Sequence, residues 1–232
     1  MRVSRSILAS CAAAIVWTAS CVQPPAAPSA TAPAVDVLAY VIGAPEMWPR
    51  HGDPNHNQNQ TVEPNRVCWN KYTLPWSYEC WRWDANVIYH DVDHAIDGAR
   101  RWEFYKFDDG RWMPRWIRPG EVWSQDVNTS LHWFNAACEP LEPQPVAYRV
   151  RVWLDGPKDA GGDLGVRDTL VLEYTPNLEQ PMAPERFLFA KGAGWYAWER
   201  GDGAGVTFNH LGGVSRQPSP LCERDFVTRG NP

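Results

Sequence analysis

The sequence predicts an all-β domain, an antiparallel sandwich of hairpins and meanders stapled by disulfides. Three observations carry this. Short runs rich in Val, Tyr, Phe and Trp lie between turn signals. No long segment repeats apolar residues at the spacing of an amphipathic helix. Twenty-one prolines and seventeen glycines interrupt the chain.

The first expected strand is "DVLAYVI" (36–42), followed by a polar loop, "HGDPNHNQNQTVEPN" (51–65). "RVCWNKYT" and "SYECWRW" are strands with Pro75 between them, and "NVIYHDV" (86–92) is the next. "RWEFYKF", "DDG" and "RWMPRWI" read as a hairpin, because Asp-Gly supplies the positive φ of a tight turn. "SLHWFN" precedes Cys138, and the proline-rich "EPLEPQP" is a connector.

The second half alternates more clearly. In "AYRVRVWLD" (147–155), Tyr148, Val150, Val152 and Leu154 share one face; Arg149, Arg151, Trp153 and Asp155 share the other. In "DTLVLEYT" (168–175), Leu170, Leu172 and Tyr174 share a face, and the glycine-rich stretch between these strands reads as a long loop. "ERFLFAK" and "GWYAWER" form a hairpin around Gly192 and Gly194, with Phe187 and Phe189 on one face of the first strand. On the return strand Tyr196 and Trp198 are expected to share a face, with Trp195 on the other. "GVTFNHLGG" closes the meander.

"ERFLFAKGAGWYAWE" resembles a strand–glycine–strand pattern of exported bacterial β-rich lipoproteins of unknown function. The likeness covers about fifteen residues. It implies an envelope location and an antiparallel sheet, and it brings no catalytic residue with it.

The first residues of the chain point to export. Residues 1–20 read as a signal peptide, with Arg2 and Arg5 before an apolar run from Ile7 to Trp17. That run falls short of the roughly 20 apolar residues a permanent span needs. "WTASC" resembles the bacterial lipobox and makes Cys21 the expected lipidation site, although Thr18 stands where Leu is usual. "LASC", ending at Cys11, leaves too little apolar core before it. The alternative is ordinary cleavage near Ala30, giving a secreted soluble protein. Residues 21–35 hold the lipidated cysteine and a Pro/Ala-rich tether, and 36–232 form one β-rich domain. The expected location is the cell envelope, with the membrane as partner through the lipid.

Loss of residues 1–20 leaves 20 basic against 27 acidic residues, a formal charge of −7. With no basic run, a nucleic-acid partner is not expected. Cys68, Cys80, Cys138 and Cys222 remain besides Cys21, and an even set in an exported chain reads as two disulfides. Three pairings exist; Cys68–Cys80 and Cys138–Cys222 are the favoured ones.

Fourteen tryptophans, one of them in the leader, are the strongest compositional signal. Trp81, Trp83, Trp112 and Trp116 are the candidates for stacking on a glycan or other flat ligand, with core packing the alternative. "YHDVDH" offers His90, Asp91 and His94 as weak metal candidates. On an extended strand His90 and His94 stand about 13 Å apart, so a shared metal requires the chain to turn after Val92. Asp155, Asp159, Asp163 and Asp168 are too widely spaced for an EF-hand loop. No metal and no cofactor are expected, since no dinucleotide, P-loop or zinc-protease motif occurs. A carboxylate pair for glycan hydrolysis, drawn from Glu46, Asp53, Glu103 or Glu121 beside His51 and His56, is the enzymatic alternative. No catalytic residue can be named from the sequence. The leading expectation is a non-enzymatic envelope lipoprotein with a ligand, a protein partner or a structural role.

Overall fold

A computed structural model describes residues 32–50, 52–71, 77–96, 102–107, 110–135, 139–176 and 183–210. Residues 1–31, with the expected signal peptide, Cys21 and most of the expected tether, lie outside the described residues, as do Cys138, Cys222 and with them the second expected disulfide.

The described chain is almost entirely β. It opens with β1 (Val35–Asp36), a short helix α1 (Leu38–Val41) and a 3-10 turn at Pro45–Met47. Then come β2 (Asp53–Glu63), β3 (Arg66–Lys71), β4 (Ser77–Trp83), β5 (Val87–Ile96), β6 (Trp102–Phe107) and β7 (Arg111–Pro114). β8 (Trp116–Ile117), β9 (Val122–Phe134), β10 (Gln144–Asp159) and β11 (Val166–Pro176) follow, and β12 (Glu185–Ala190), β13 (Gly194–Arg200) and β14 (Gly205–His210) complete the order.

The large sheet has twelve strands in the order β4-β3-β2-β14-β13-β12-β11-β10-β9-β6-β5-β7, and β5 also bonds to β4. Eleven strands therefore close on themselves, where two stacked sheets would leave four edges. The pairings are antiparallel except at β14–β2, where the last described strand lies parallel to the first long one. β1 and β8 form a separate two-stranded ribbon.

Alternation fills the interior. Trp69 on β3 and Trp81 on β4 meet edge to face at 4.9 Å, and Trp195 on β13 meets Trp69 at 6.0 Å and 89°. Val150, Val152, Leu170, Leu172, Phe187 and Phe189 pack into the same core. Each aromatic pair contributes about 0.5–1.5 kcal/mol beyond its buried area. The outward side chains of β9 to β12 form an ion-pair ladder. Arg149 reaches Asp126 at 2.8 Å, and Glu173 takes Arg151 at 2.9 Å and Arg186 at 2.8 Å. The Arg149, Asp126, Arg151 and Arg186 side chains of this ladder are about half exposed. Among the described residues no helix is long and apolar enough to cross a membrane.

Cys68 and Cys80 stand in register on β3 and β4 and are disulfide-bonded, as the sequence suggested.

Several expectations give way. Residues 36–42 form β1 and α1, because Val37, Tyr40 and Val41, at i, i+3 and i+4, bury together. The polar stretch after Gly52 is mostly strand β2, in which Gln58, Asn59 and Gln60 are buried. The Gln60 amide donates to Val41 O at 3.1 Å and accepts from Gly43 N at 2.8 Å, so it holds in place the covering segment, residues 37–48, whose helix α1 packs on β12 and β13. β6 and β7 are not a hairpin. Both run antiparallel to β5, β6 opposite Asp93–Ile96 and β7 opposite Val87–Tyr89. β6 is also held by β9, and Gly110 at φ 71 shifts the line, its carbonyl accepting from His90 N at 2.7 Å. The long glycine-rich loop shrinks to a tight turn, because β10 and β11 pair as far as Asp159 and Val166.

A bulge also changes the expected faces of β13. Register slips between Leu188 and Phe189, so Phe189 opposes Trp195 while Leu188 opposes Ala197. Trp195 and Trp198 therefore both join the interior, and Tyr196 joins an outer cluster with Val171, Leu188 and Ala190. That cluster lies under the 160–165 turn and Met47.

Candidate functional site

Two carboxylates enter the interior, each held by an indole N–H and a second donor. On β4, Glu79 and Trp81 share a face. Glu79 Oε1 accepts from Trp81 Nε1 at 2.7 Å and from His90 Nε2 at 2.9 Å. The His90 and Glu79 side chains are only 2% and 12% exposed. His90 meets Trp112 edge-on at 4.9 Å, and Trp112 lies 6.3 Å from Tyr174. Tyr174 stacks on Phe187 at 5.3 Å and meets Tyr148 edge-on at 5.6 Å.

The second carboxylate, Glu185, begins β12. Its Oε2 accepts from Tyr174 Oη at 2.7 Å and Trp198 Nε1 at 2.8 Å. Its Oε1 takes no hydrogen bond among the described residues. Glu185 stands in register with Arg200, whose guanidinium lies 5.9 Å over the Trp198 ring and pairs with Asp202 at 2.6 Å. Hydrogen bonding to Asp202 raises the Arg200 pKa, and Arg200 in turn holds Asp202 down at about 2. Glu185, Tyr174 and Trp198 are half-buried, whereas Trp81 and Trp112 are enclosed. This end of the sheet thus presents a free carboxylate oxygen, a guanidinium and aromatic ring surface together.

Of the four tryptophans expected to stack on a ligand, two are enclosed. Trp81 and Trp112 are 1% and 3% exposed, because alternation turns them inward. Trp83 is half-buried against the core. Trp116 is exposed, but it sits on the β1–β8 ribbon, donates to Ala85 O at 2.9 Å and lies under Arg115.

His90 and Asp91 turn to different partners. β5 runs unbroken to Ile96, so the chain makes no turn after Val92. His90 points inward to Glu79, whereas Asp91 pairs with Arg66 at 2.8 Å and Arg82 at 3.7 Å. The His94 side chain lies outside the described residues. The aspartates near the 160–165 turn have separate partners: Lys158 for Asp155, Gly161 N for Asp159, Arg50 for Asp163 and Lys191 for Asp168. Among the described residues no three His, Cys, Asp or Glu side chains gather as a metal site.

Of the acids expected for hydrolysis, those with described side chains have separate local surroundings. Glu46 is exposed, Asp53 pairs locally with His56 at 2.8 Å, and Glu121 accepts from Arg118 N. His51 and the Glu103 side chain lie outside the described residues.

Sequence reasoning missed Glu79, Tyr174, Glu185 and Trp198 as a set. The spacing of Glu79 and Trp81 on one strand face was visible; Glu185 meets Tyr174 and Trp198 only through the β11–β12–β13 register.

A separate pocket on the outer face, lined by Pro49, Gly161, Tyr196 and Thr207, holds about 40 Å³. That suits a water or two and is far below the roughly 300–1,000 Å³ of small-molecule sites.

Comparison with protein-family models, with curated protein sequences and with solved structures finds no match.

Proposed function

We propose that this chain is an exported envelope lipoprotein, tethered through Cys21, whose β-domain binds a small hydroxylated, sugar-like ligand at the Glu185 end of the sheet. The observation that carries this reading is the unbonded Oε1 of Glu185 beside half-buried Trp198 and Tyr174. A carboxylate oxygen accepts from hydroxyls, an adjacent guanidinium donates to them, and aromatic rings pack on the apolar face of a sugar ring. The half-exposed ion-pair ladder supports anchoring by a lipid in preference to insertion of the sheet itself.

The test is titration of intrinsic tryptophan fluorescence with envelope oligosaccharides, for the native chain and for Glu185→Gln. A saturable change that weakens at least tenfold in the variant is expected. No response to any glycan overturns the ligand assignment. Intact mass of membrane-extracted protein tests the anchor, since a diacylglycerol adduct on Cys21 is required.

The second interior carboxylate, Glu79, favours one alternative, a glycan hydrolase using a carboxylate pair. Product release from a bound oligosaccharide, abolished in both Glu79→Gln and Glu185→Gln, would select it.

A further inference from the structure

Trp48, Gln58 and His210 lie together away from the Glu185 end. Gln58 on β2 and His210 on β14 are register partners, so their side chains leave the same face. The Trp48 ring lies 5.7 Å from that of His210. All three are buried, at 7%, 0% and 7% exposure. Among the described residues, four of their polar atoms, Trp48 Nε1, Gln58 Nε2, Gln58 Oε1 and His210 Nδ1, have no hydrogen-bond partner.

The roles of these atoms are fixed by chemistry. His210 Nε2 stands 2.6 Å from Trp195 O, and a carbonyl only accepts, so Nε2 carries the proton. Burial lowers the imidazole pKa to about 4, so the ring is neutral at pH 7 and Nδ1 presents a lone pair. Trp48 Nε1 is a donor only, and the Gln58 amide offers both functions. Buried polar groups are nearly always satisfied by protein or by ordered water. Four orphans in one neighbourhood, with complementary roles, describe the shell of a guest. One imidazole without a carboxylate or thiolate does not make a metal site, and among the described residues no three ligating side chains gather here. A partner for these atoms would have to be neutral and small, and would both donate and accept.

We propose that Trp48, Gln58 and His210 enclose a long-lived internal water, which accepts from Trp48 Nε1–H, donates to His210 Nδ1 and is completed by the Gln58 amide. The water then joins the covering segment that carries Trp48 to the β2–β14 seam, the one parallel pairing of the sheet.

The experiment uses the full mature chain, ¹⁵N-labelled, and reads cross-relaxation between water and the Trp48 indole proton. A contact with the sign of a water bound for longer than nanoseconds is expected in the native protein. It should vanish in His210→Phe while the remaining amide spectrum persists. No such contact in the native protein, or an unchanged contact in His210→Phe, overturns the proposal. Should His210→Phe not fold, a high-resolution crystal structure of the native chain decides. A water-sized peak within hydrogen-bond distance of Trp48 Nε1 and His210 Nδ1 supports the site; a dry gap or a direct Trp48–His210 bond overturns it.

Discussion

Trp198 and Glu185 are joined across the β12–β13 hairpin by an N–H···O bond of 2.8 Å. Tyr174 donates to the same oxygen, so the carboxylate is oriented by two neutral donors on two neighbouring strands. Trp198→Phe retains a ring and deletes one donor. It should destabilise by about 1–2 kcal/mol, with a coupling of about 1 kcal/mol between Trp198 and Glu185 in a double-mutant cycle with Glu185→Ala, which removes the acceptor. Urea midpoints of the four proteins measure this, and strict additivity would show that the bond is energetically idle.

How this pair escaped the sequence reading has a physical cause. Period two identified the inward faces of β10 and β11 correctly, because a half-buried strand needs only local alternation. The same rule misassigned β13, where a bulge at Tyr196 moves Trp195 and Trp198 to one side. β2 was missed because Asn and Gln disfavour strands, yet Gln60 is retained by backbone partners contributed from the covering segment. Cys68–Cys80 was legible because two short strands around a single turn bring close cysteines into register. Closure of the sheet was not, since the β14–β2 and β4–β5 contacts depend on pairing the whole order at once.

The Cys68–Cys80 bond closes a segment of sequence separation 12 between β3 and β4. The chain-entropy model assigns such a loop about 2–3 kcal/mol. The double variant Cys68→Ser/Cys80→Ser should lose that amount in thermal or urea unfolding. Because these strands belong to the closed sheet, the loss should appear in the single global transition. A separate early transition would mean that β3 and β4 fold independently of the rest.

Buried His210 should make stability pH-dependent. Its folded pKa, about 4, lies below the ordinary 6.5, and its near neighbours Trp48, Gln58 and Trp195 do not titrate near neutrality. Between pH 6.5 and about 4 the unfolded chain binds more protons than the folded one, so stability is full above pH 6.5 and falls with acidification. The complete window corresponds to about 3 kcal/mol. Urea unfolding from pH 7.5 to 4 should show this slope, and His210→Gln should flatten it. A native profile already flat across the window would refute a neutral buried imidazole.

Glu173 is the centre of the outer ladder, its side chain 7% exposed between Arg151 and Arg186 at 45% and 46%. Glu173→Gln keeps the shape but loses the charge, while both guanidinium groups remain able to hydrate. The cost should be about 1–2 kcal/mol, below that of breaking a fully buried pair. The difference should narrow in 1 M salt, where screening acts within about 3 Å. A loss independent of salt would point to packing and not to charge.

The covering segment offers the sharpest steric test. Gly43 lies where a β-carbon would stand 2.2 Å from Ala193 O and 2.7 Å from Trp48 Nε1. Ala44 N also donates to Gly192 O at 2.7 Å, and Gly192 N donates to Ala39 O at 2.8 Å, so the turn of the β12–β13 hairpin is bonded to this segment on both sides. Gly43→Ala cannot be absorbed by a rotamer change, because the nearest clash is with backbone. The segment must lift from the turn, giving up the Gln60 bonds and part of the burial of Val41. A loss of about 1–3 kcal/mol is expected. Amide exchange should quicken at Gly43, Ala44 and Gly192 while the β10–β11 amides stay protected. Equal acceleration everywhere would mean that the segment is part of the global folding unit, whereas no change at Gly192 would contradict the close approach itself.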